Sequence, residues 1–311
     1  MDARLQYFAT SDKLKLYHEL WIPNAPRAVI IFHPGLGDHI GRYSEFVKFF
    51  IQRNIGVCLY DPRGQGRSQG RRAHCRSIGD FLRDLSQVTD MVQAICQNVP
   101  CYLAGHSFGG QISINFAAKF SKGLRGVILL SPNIEPLIKV SNRKAWYARR
   151  LSGLFPIARI RAQIDAHLFT HDEAVVIDIL KDPLRNWHVT ARLGTEIIKN
   201  LVILPRLAYQ VKIPTLICHG SDDRITSCEA SRKFYHSMLI QNKELKIYPG
   251  AYHQLLHETM KEKVYNDIYA WIDSQLISFT RIARSNGEKD YENKEASYHM
   301  FGDHGYGFLR A

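Results

Sequence analysis

Gly105-His106-Ser107-Phe108-Gly109 sets a serine between two glycines at a point where the pattern of the chain changes. Residues 102–104 are a short apolar run, and residues 111–120 space their apolar side chains as an amphipathic helix does. A serine at a tight strand-to-helix turn sits in strained backbone and projects its hydroxyl, while the flanking glycines leave room for the neighbouring strand and helix. The helix starting there aims its free N–H groups and positive dipole end at the reacting centre. A glycine-rich turn with an idle serine spells the same five residues, so the reading depends on partners elsewhere.

A nucleophilic serine needs a base, and the base needs an orienting group. For this kind of elbow the acid and then a histidine follow the serine along the chain. The apolar run 215–218 ends in His219-Gly220-Ser221-Asp222-Asp223-Arg224-Ile225, which carries two carboxylates. The run 245–248 ends in Pro249-Gly250-Ala251-Tyr252-His253, which carries an imidazole. Serine, acid and histidine each follow a different strand end, in the required order. The residues alone leave Asp222 and Asp223 both open as the acid.

Such a constellation requires a frame that gathers strand ends. Residues 5–8 and 15–22 read as a leading hairpin across Thr10-Ser11-Asp12. Residues 28–32 and 57–60 are runs buried on both faces, each followed by a glycine-bearing loop starting at His33 or Asp61. Helical spacing covers 43–53 and 81–97, and 126–130 is a further strand. This alternation predicts an α/β protein with a mostly parallel central sheet flanked by helices, its site at the carboxyl ends of the strands. The alternation breaks at Ser131-Pro132 and resumes near Pro214; the residues between have helical patterning and no strand. A helix near 228–239 and a long final helix about 261–282 follow. The expected organisation is a core from 1–132 and 208–284, a helical cap insertion over the active end of the sheet at 133–207, and a polar tail at 285–311.

A chain of 311 residues is long enough for one large core. Its six cysteines (Cys58, Cys75, Cys96, Cys101, Cys218, Cys228) show no metal-ligand spacing and several sit in apolar runs, as reduced thiols of a cytosolic protein do. No signal-peptide pattern or span of ~18 uncharged apolar residues is found. The expected location is cytoplasmic, or peripheral on the inner face of a membrane. The net charge of +12 suits an acidic partner, whether nucleic acid or anionic membrane. No nucleic-acid-binding motif supports the former, so no nucleic acid is expected.

Six stretches resemble the α/β-hydrolase superfamily, and within it the monoacylglycerol lipase and bacterial lysophospholipase group. They are G-L-G-D-H-I-G-R-Y at 35–43, D-P-R-G-Q-G-R-S-Q-G at 61–70, G-H-S-F-G-G at 105–110, Ser131-Pro132, G-S-D-D-R-I at 220–225 and K-I-Y-P-G-A-Y-H at 246–253. Together they cover residue 22 to about residue 282. The resemblance implies an α/β-hydrolase fold with a helical cap, and cofactor-free cleavage of carboxylic esters through an acyl-enzyme. It implies Ser107 as nucleophile, Asp223 as acid and His253 as base. The family's acid falls three residues after the glycine closing its strand, which selects Asp223 over Asp222. One oxyanion-hole N–H is expected from Phe108, next to the nucleophile, and one from the loop after 28–32. The family reads His-Gly-x-Gly-Glu-His there, with x donating. Aligned on the glycines, this chain offers Leu36 as donor and puts Pro34, which has no N–H, where the family has histidine.

Other features read blandly. No Lys-Ser/Thr follows Gly64-Gln65-Gly66, so it is a structural loop rather than a phosphate cradle. His253 and His257 are four apart, a spacing that metal ligands use on a helix, but no third ligand is near and no metal is expected. His33, His39 and His106 read as hydrogen-bonding loop residues. Between 137 and 163, seven Lys and Arg residues occur with no acid, interleaved with aromatic and aliphatic ones. A helix lying in an anionic membrane interface looks like this; so does a helix packed on the sheet with its charges in water. In the resembled family this insertion is a lid over an acyl pocket, which implies a face at Arg143, Lys144, Trp146, Arg149 and Arg150 that meets substrate and membrane. The expected partners are a single-chain lipid substrate and, transiently, an anionic membrane surface. Lysophospholipid and monoacylglycerol both fit, the basic residues favouring the former. A broad carboxylesterase or perhydrolase would share the triad, and a non-catalytic lipid-binding scaffold would share the fold.

Overall fold

Strand-length runs with no polar side are stable only where both faces are covered, and three of them form the centre of this protein. The computed structural model describes residues 4–120, 123–138, 150, 152–161 and 164–277. Its strands in chain order are β1 (Arg4–Ala9), β2 (Lys15–Trp21), β3 (Ala28–His33), β4 (Ile55–Tyr60), β5 (Cys101–His106), β6 (Leu124–Leu130), β7 (Arg159–Arg161), β8 (His188–Thr190), β9 (Thr215–Gly220) and β10 (Lys243–Tyr248). The main helices are α1 (Ser44–Ile51), α2 (Ile78–Ile95), α3 (Phe108–Lys119), α4 (Glu173–Lys181), α5 (Ala191–Leu207) and α6 (Cys228–Ser237). Residues 1–266 form one compact unit and 267–311 a second. Within the second unit, residues 267–277 are helical.

Eight strands make one sheet in the order β1-β2-β4-β3-β5-β6-β9-β10. From β4 to β10 all pairs are parallel, while β2 joins β1 and β4 antiparallel. The expected α/β-hydrolase architecture is therefore present, a mostly parallel sheet with a leading hairpin. β3, β4 and β5 are buried along their whole length. The chain leaves β3 toward β4 on one side and returns as β5 on the other, so a topological switch lies between β3 and β5. Crevices outside the carboxyl ends at such a switch are where open α/β sheets bind ligands. His33 and Gly105 are register partners across it.

α2 starts three residues earlier than its spacing suggested and buries Phe81, Leu82, Leu85, Val88 and Val92 along one face. Phe81 meets Phe108 of α3 edge-on, ring centroids 5.2 Å apart. Residues 131–214 separate β6 from β9, although these two strands pair side by side from Val127↔Thr215 to Leu130↔Cys218. Hydrogen bonds tie this insertion to the loops at the strand ends. Thr190 N–H donates to Ala73 O (3.0 Å), Asn186 N–H to Gly37 O (2.9 Å) and Gln254 N–H to Phe169 O (2.7 Å).

The expectation of an insertion without strands is corrected. β7 and β8 pair as an antiparallel ribbon, Arg159↔Thr190 to Arg161↔His188. Three residues per strand, with arginine and histidine side chains turned partly to solvent, are too few to show a period of two. Of the expected cap face, Arg150 is helical and exposed. Arg143, Lys144, Trp146 and Arg149 lie outside the described residues, as does the 285–311 tail. None of the six cysteines is in a disulfide, and all but Cys228 are buried.

Candidate active site

Ser107 stands alone between the end of β5 and the start of α3, with φ 54° and ψ −114°. A non-glycine residue in this region costs about 1–3 kcal/mol and persists only where its surroundings hold it. They do: Ser107 N–H donates to Leu130 O (3.0 Å), and its carbonyl accepts from Gln111 N–H (3.2 Å) and Asn133 N–H (3.0 Å). The flanking glycines allow the close approach. A Cβ on Gly105 would stand 2.2 Å from Ser113 Oγ, and one on Gly109 2.2 Å from the His33 carbonyl oxygen.

His253 follows β10 and is buried. Its Nε2 lies 2.9 Å from Ser107 Oγ and its Nδ1 2.7 Å from Asp223 Oδ2. With Nδ1–H donating to the carboxylate, Nε2 is left as an acceptor for the serine proton. Asp223 follows β9 and is held by a nest of donors. Oδ1 accepts the backbone N–H of Ile225 (2.8 Å) and Thr226 (2.9 Å). Oδ2 accepts Thr226 Oγ1–H (2.7 Å) and His219 Nε2–H (3.1 Å) in addition to His253. Burial alone would push this carboxyl up, but the His253 charge and these hydrogen bonds outweigh it and hold the pKa well below the usual carboxylate range. Asp222, the other candidate acid, is exposed and accepts the Ser221 hydroxyl at 2.6 Å.

The imidazole is braced from behind. His106 Nε2–H donates to the His253 carbonyl (3.2 Å), its ring centroid 4.8 Å from that of His253. Burial, then the neighbouring His253 charge, bring His106 down to about 3, so it is a neutral brace at ordinary pH. Phe169, from the insertion, lies 6.0 Å from the His253 ring.

The loop after β3 runs against the nucleophile, since a Cβ on Gly35 would lie 3.4 Å from Ser107 Cβ. Gly37 N–H donates to Gln65 Oε1 (2.5 Å), so the Gly64-Gln65-Gly66 run braces this loop. The carbonyl of Pro34 accepts His33 Nδ1–H at 2.9 Å, and burial lowers His33 to about 4. Neither Leu36 N–H nor Phe108 N–H has an acceptor among the described residues. His257 does not pair with His253: its Nε2–H donates to Arg42 O at 2.9 Å. His39 instead bonds Asp182 of the insertion at 2.6 Å.

Ser107, Asp223 and His253 are thus brought together; Phe108 follows the serine in the chain, and Leu36 follows Gly35, which runs against it. Sequence reasoning missed the residues that hold them. His219 begins the run that carries Asp223 but has no legible role there, Thr226 and Phe169 stand in no recognisable motif, and Phe169 reaches the site only because the insertion folds back onto strand ends.

The Hydrolase_4 family, described as serine aminopeptidase, S33, matches residues 24–260. The chain belongs to this α/β-hydrolase family. A monoglyceride lipase of Rattus norvegicus is 30% identical over 278 residues, 88% of this chain and 91% of the relative. An uncharacterized abhydrolase domain-containing protein of Dictyostelium discoideum is 33% identical over 89% of this chain, which spans only 30% of that larger relative. The crystal structure of Paleococcus ferrophilus monoacylglycerol lipase matches with a TM-score of 0.77 at 25% identity, covering 84% of this chain and 99% of that one.

Proposed function

We propose that this carboxylic ester hydrolase cleaves single-chain lipids of the monoacylglycerol or lysophospholipid kind through an acyl-enzyme, with Ser107 as nucleophile, His253 as base and Asp223 as acid. The observation that carries the reading is the unbroken hydrogen-bonded line from Ser107 Oγ to His253 (2.9 Å) to Asp223 (2.7 Å). Ser107 Oγ attacks the ester carbonyl as Nε2 takes its proton. The oxyanion that forms meets the N–H groups of Leu36 and Phe108, a pair whose donors typically supply about 2.7–4 kcal/mol each. Nε2–H then protonates the departing alcohol. Nε2 next deprotonates the water that frees the fatty acid. Asp223 stays ionised throughout, fixing the tautomer and stabilising the imidazolium.

The lipid reading is supported by the names of the rat and Paleococcus relatives and by the character of the insertion. Segment 133–207 acts as the cap in this reading. Leu154 (75% exposed), Phe155 (62%) and Ile157 (48%) stand out from it beside the exposed Arg150, Arg159 and Arg161. Apolar side chains flanked by cations suit transient docking on an anionic membrane surface, here from the cytoplasmic side. Among the described residues no helix is long and apolar enough to cross a membrane.

Hydrolysis rates on monoolein, lysophosphatidylethanolamine and a butyrate ester, with Ser107→Ala as control, test the reading. Lipid turnover that disappears in Ser107→Ala is expected. Turnover of the butyrate ester alone would remove the lipid assignment.

A further inference from the structure

Arg185 is a buried cation without adequate partners. It lies between α4 and β8, and its side chain is only 4% exposed. Nε and Nη1 are buried with no hydrogen-bond partner, and the approach of Nη1 to Asp38 Oδ1, at 3.6 Å, is too long for one. A guanidinium presents five N–H donors, and burying such donors unpaired is costly. The guanidinium carbon lies 4.6 Å from the Phe169 ring centroid and 4.7 Å from that of Trp187, two rings that meet edge-on at 6.4 Å.

Nearby acceptors are already taken. Asp38 accepts His39 N–H (3.0 Å) and Tyr43 O–H (2.8 Å) and faces Arg42 at 3.4 Å. Asp182 accepts His39 Nε2–H (2.6 Å) and Leu184 N–H (2.8 Å). Two guanidiniums therefore share one buried carboxylate. Burial and the Arg42 charge outweigh Asp38 and draw the Arg185 pKa below its ordinary value.

The position is as telling as the charge. Asp38 lies two residues beyond Leu36, and Asn186 N–H donates to Gly37 O, so the Arg185 turn is joined to the candidate oxyanion loop. Phe169, on which Arg185 stacks, packs beside His253. A leaving alcohol must have its oxygen at His253 Nε2 to receive the proton. What that alcohol carries then lies toward the groups packed beside the imidazole. An open groove of about 490 Å³ reaches Arg42, though not Arg185, from the surface, and its lining mixes the cations Lys181 and Lys261 with the carboxylates Glu45, Asp178 and Asp182.

We propose that Arg185, beside Arg42, is an anion subsite for the leaving alcohol, and that it selects esters whose alcohol bears a phosphate over those of uncharged glycerol. The inference rests on the ester-hydrolase reading above. Phosphate oxygens supply the acceptors that the guanidinium lacks, in the geometry that arginine favours.

The test compares kcat/KM for 1-oleoyl lysophosphatidate and 1-monooleoylglycerol in the same neutral micelles. The wild type is expected to favour lysophosphatidate. In Arg185→Met the ratio of the two values should fall tenfold or more, chiefly through KM on the phosphate substrate, with partial recovery in Arg185→Lys. An unchanged ratio overturns the subsite and leaves the lipid reading intact, provided monooleoylglycerol is cleaved. If neither lipid is cleaved while a butyrate ester is, the lipid reading fails and the subsite with it. A measurement on the wild type needs no variant. Glycerol 3-phosphate should inhibit butyrate ester hydrolysis competitively where glycerol does not. Inorganic phosphate inhibiting as strongly as glycerol 3-phosphate would indicate a site for free anions and overturn the substrate-borne assignment.

Discussion

Replacing Asp223 with asparagine changes one oxygen to an amide nitrogen, and the surrounding donors decide which way it turns. Oδ1 faces two backbone N–H groups at 2.8 and 2.9 Å that cannot move or change sign. Oδ2 faces His253, Thr226 and His219, each able to reverse its role as donor or acceptor. The amide oxygen therefore stays with the backbone and the NH2 points at His253 Nδ1. That nitrogen must now accept, its proton moves to Nε2, and Nε2 cannot take the Ser107 proton. Trapping this wrong tautomer in a serine triad costs about 10⁴ in kcat, or about 5.4 kcal/mol at 1.36 kcal/mol per decade. The fold should survive, because both backbone bonds to Oδ1 are kept and the two amide hydrogens can serve two of the three groups at Oδ2. The assay is kcat on a butyrate ester for Asp223→Asn and Asp222→Asn, with thermal midpoints as controls. The Asp222 side chain is exposed and accepts the Ser221 hydroxyl, while the Asp222 N–H bond to Ala251 O is indifferent to the side chain, so its variant should stay within about twofold. Full turnover by Asp223→Asn, with Asp222→Asn dead, would refute the reasoning.

Ser107 stores backbone strain at φ 54°, which glycine relieves and alanine does not. Ser107→Gly should unfold at a higher temperature than Ser107→Ala although both are inactive, and an equal or lower midpoint would contradict the strain. His33, His106 and His257 are lowered from 6.5 to about 4, 3 and 4, by burial first, with the His253 charge adding for His106 and the Arg42 charge for His257. The unfolded chain takes up these protons below 6.5 and the native one does not, so their stabilisation is complete above that pH and lost as pH falls toward the native values. At 1.36 kcal/mol per unit this is on the order of 3 kcal/mol for His33 and His257 and on the order of 5 kcal/mol for His106; a thermal midpoint unchanged between pH 7 and 4.5 would count against it. In Gly109→Ala the new methyl meets the His33 carbonyl at 2.2 Å in the nucleophile turn. The variant should lose both its cooperative melt and its activity, and a wild-type melting curve would show the turn to be softer than described.

The parallel core was legible because β3, β4 and β5 are runs with no polar side, a pattern that only double-sided burial explains. The residues at the ends of β5 and β9 stood out because each follows such a run within a few positions of a glycine, whereas β10 is half-buried and carries charged residues, and His253 stood out by the Pro249-Gly250 turn before it. The switch point between β3 and β5 follows from strand order, which no local pattern encodes. The β7–β8 ribbon and Arg185 were hidden for the same reason. Each depends on how the insertion folds back, and a guanidinium packed against Phe169 and Trp187 looks in sequence like any surface arginine.

The central claim is that Ser107 carries the acyl group. Mass spectrometry of the intact protein and its peptides after treatment with a long-chain fluorophosphonate tests this most directly. One adduct per chain is predicted, on the peptide containing Ser107, lost in Ser107→Ala and reduced at least a hundredfold in rate in His253→Ala. Labelling of another serine, or unchanged labelling without His253, would contradict the account.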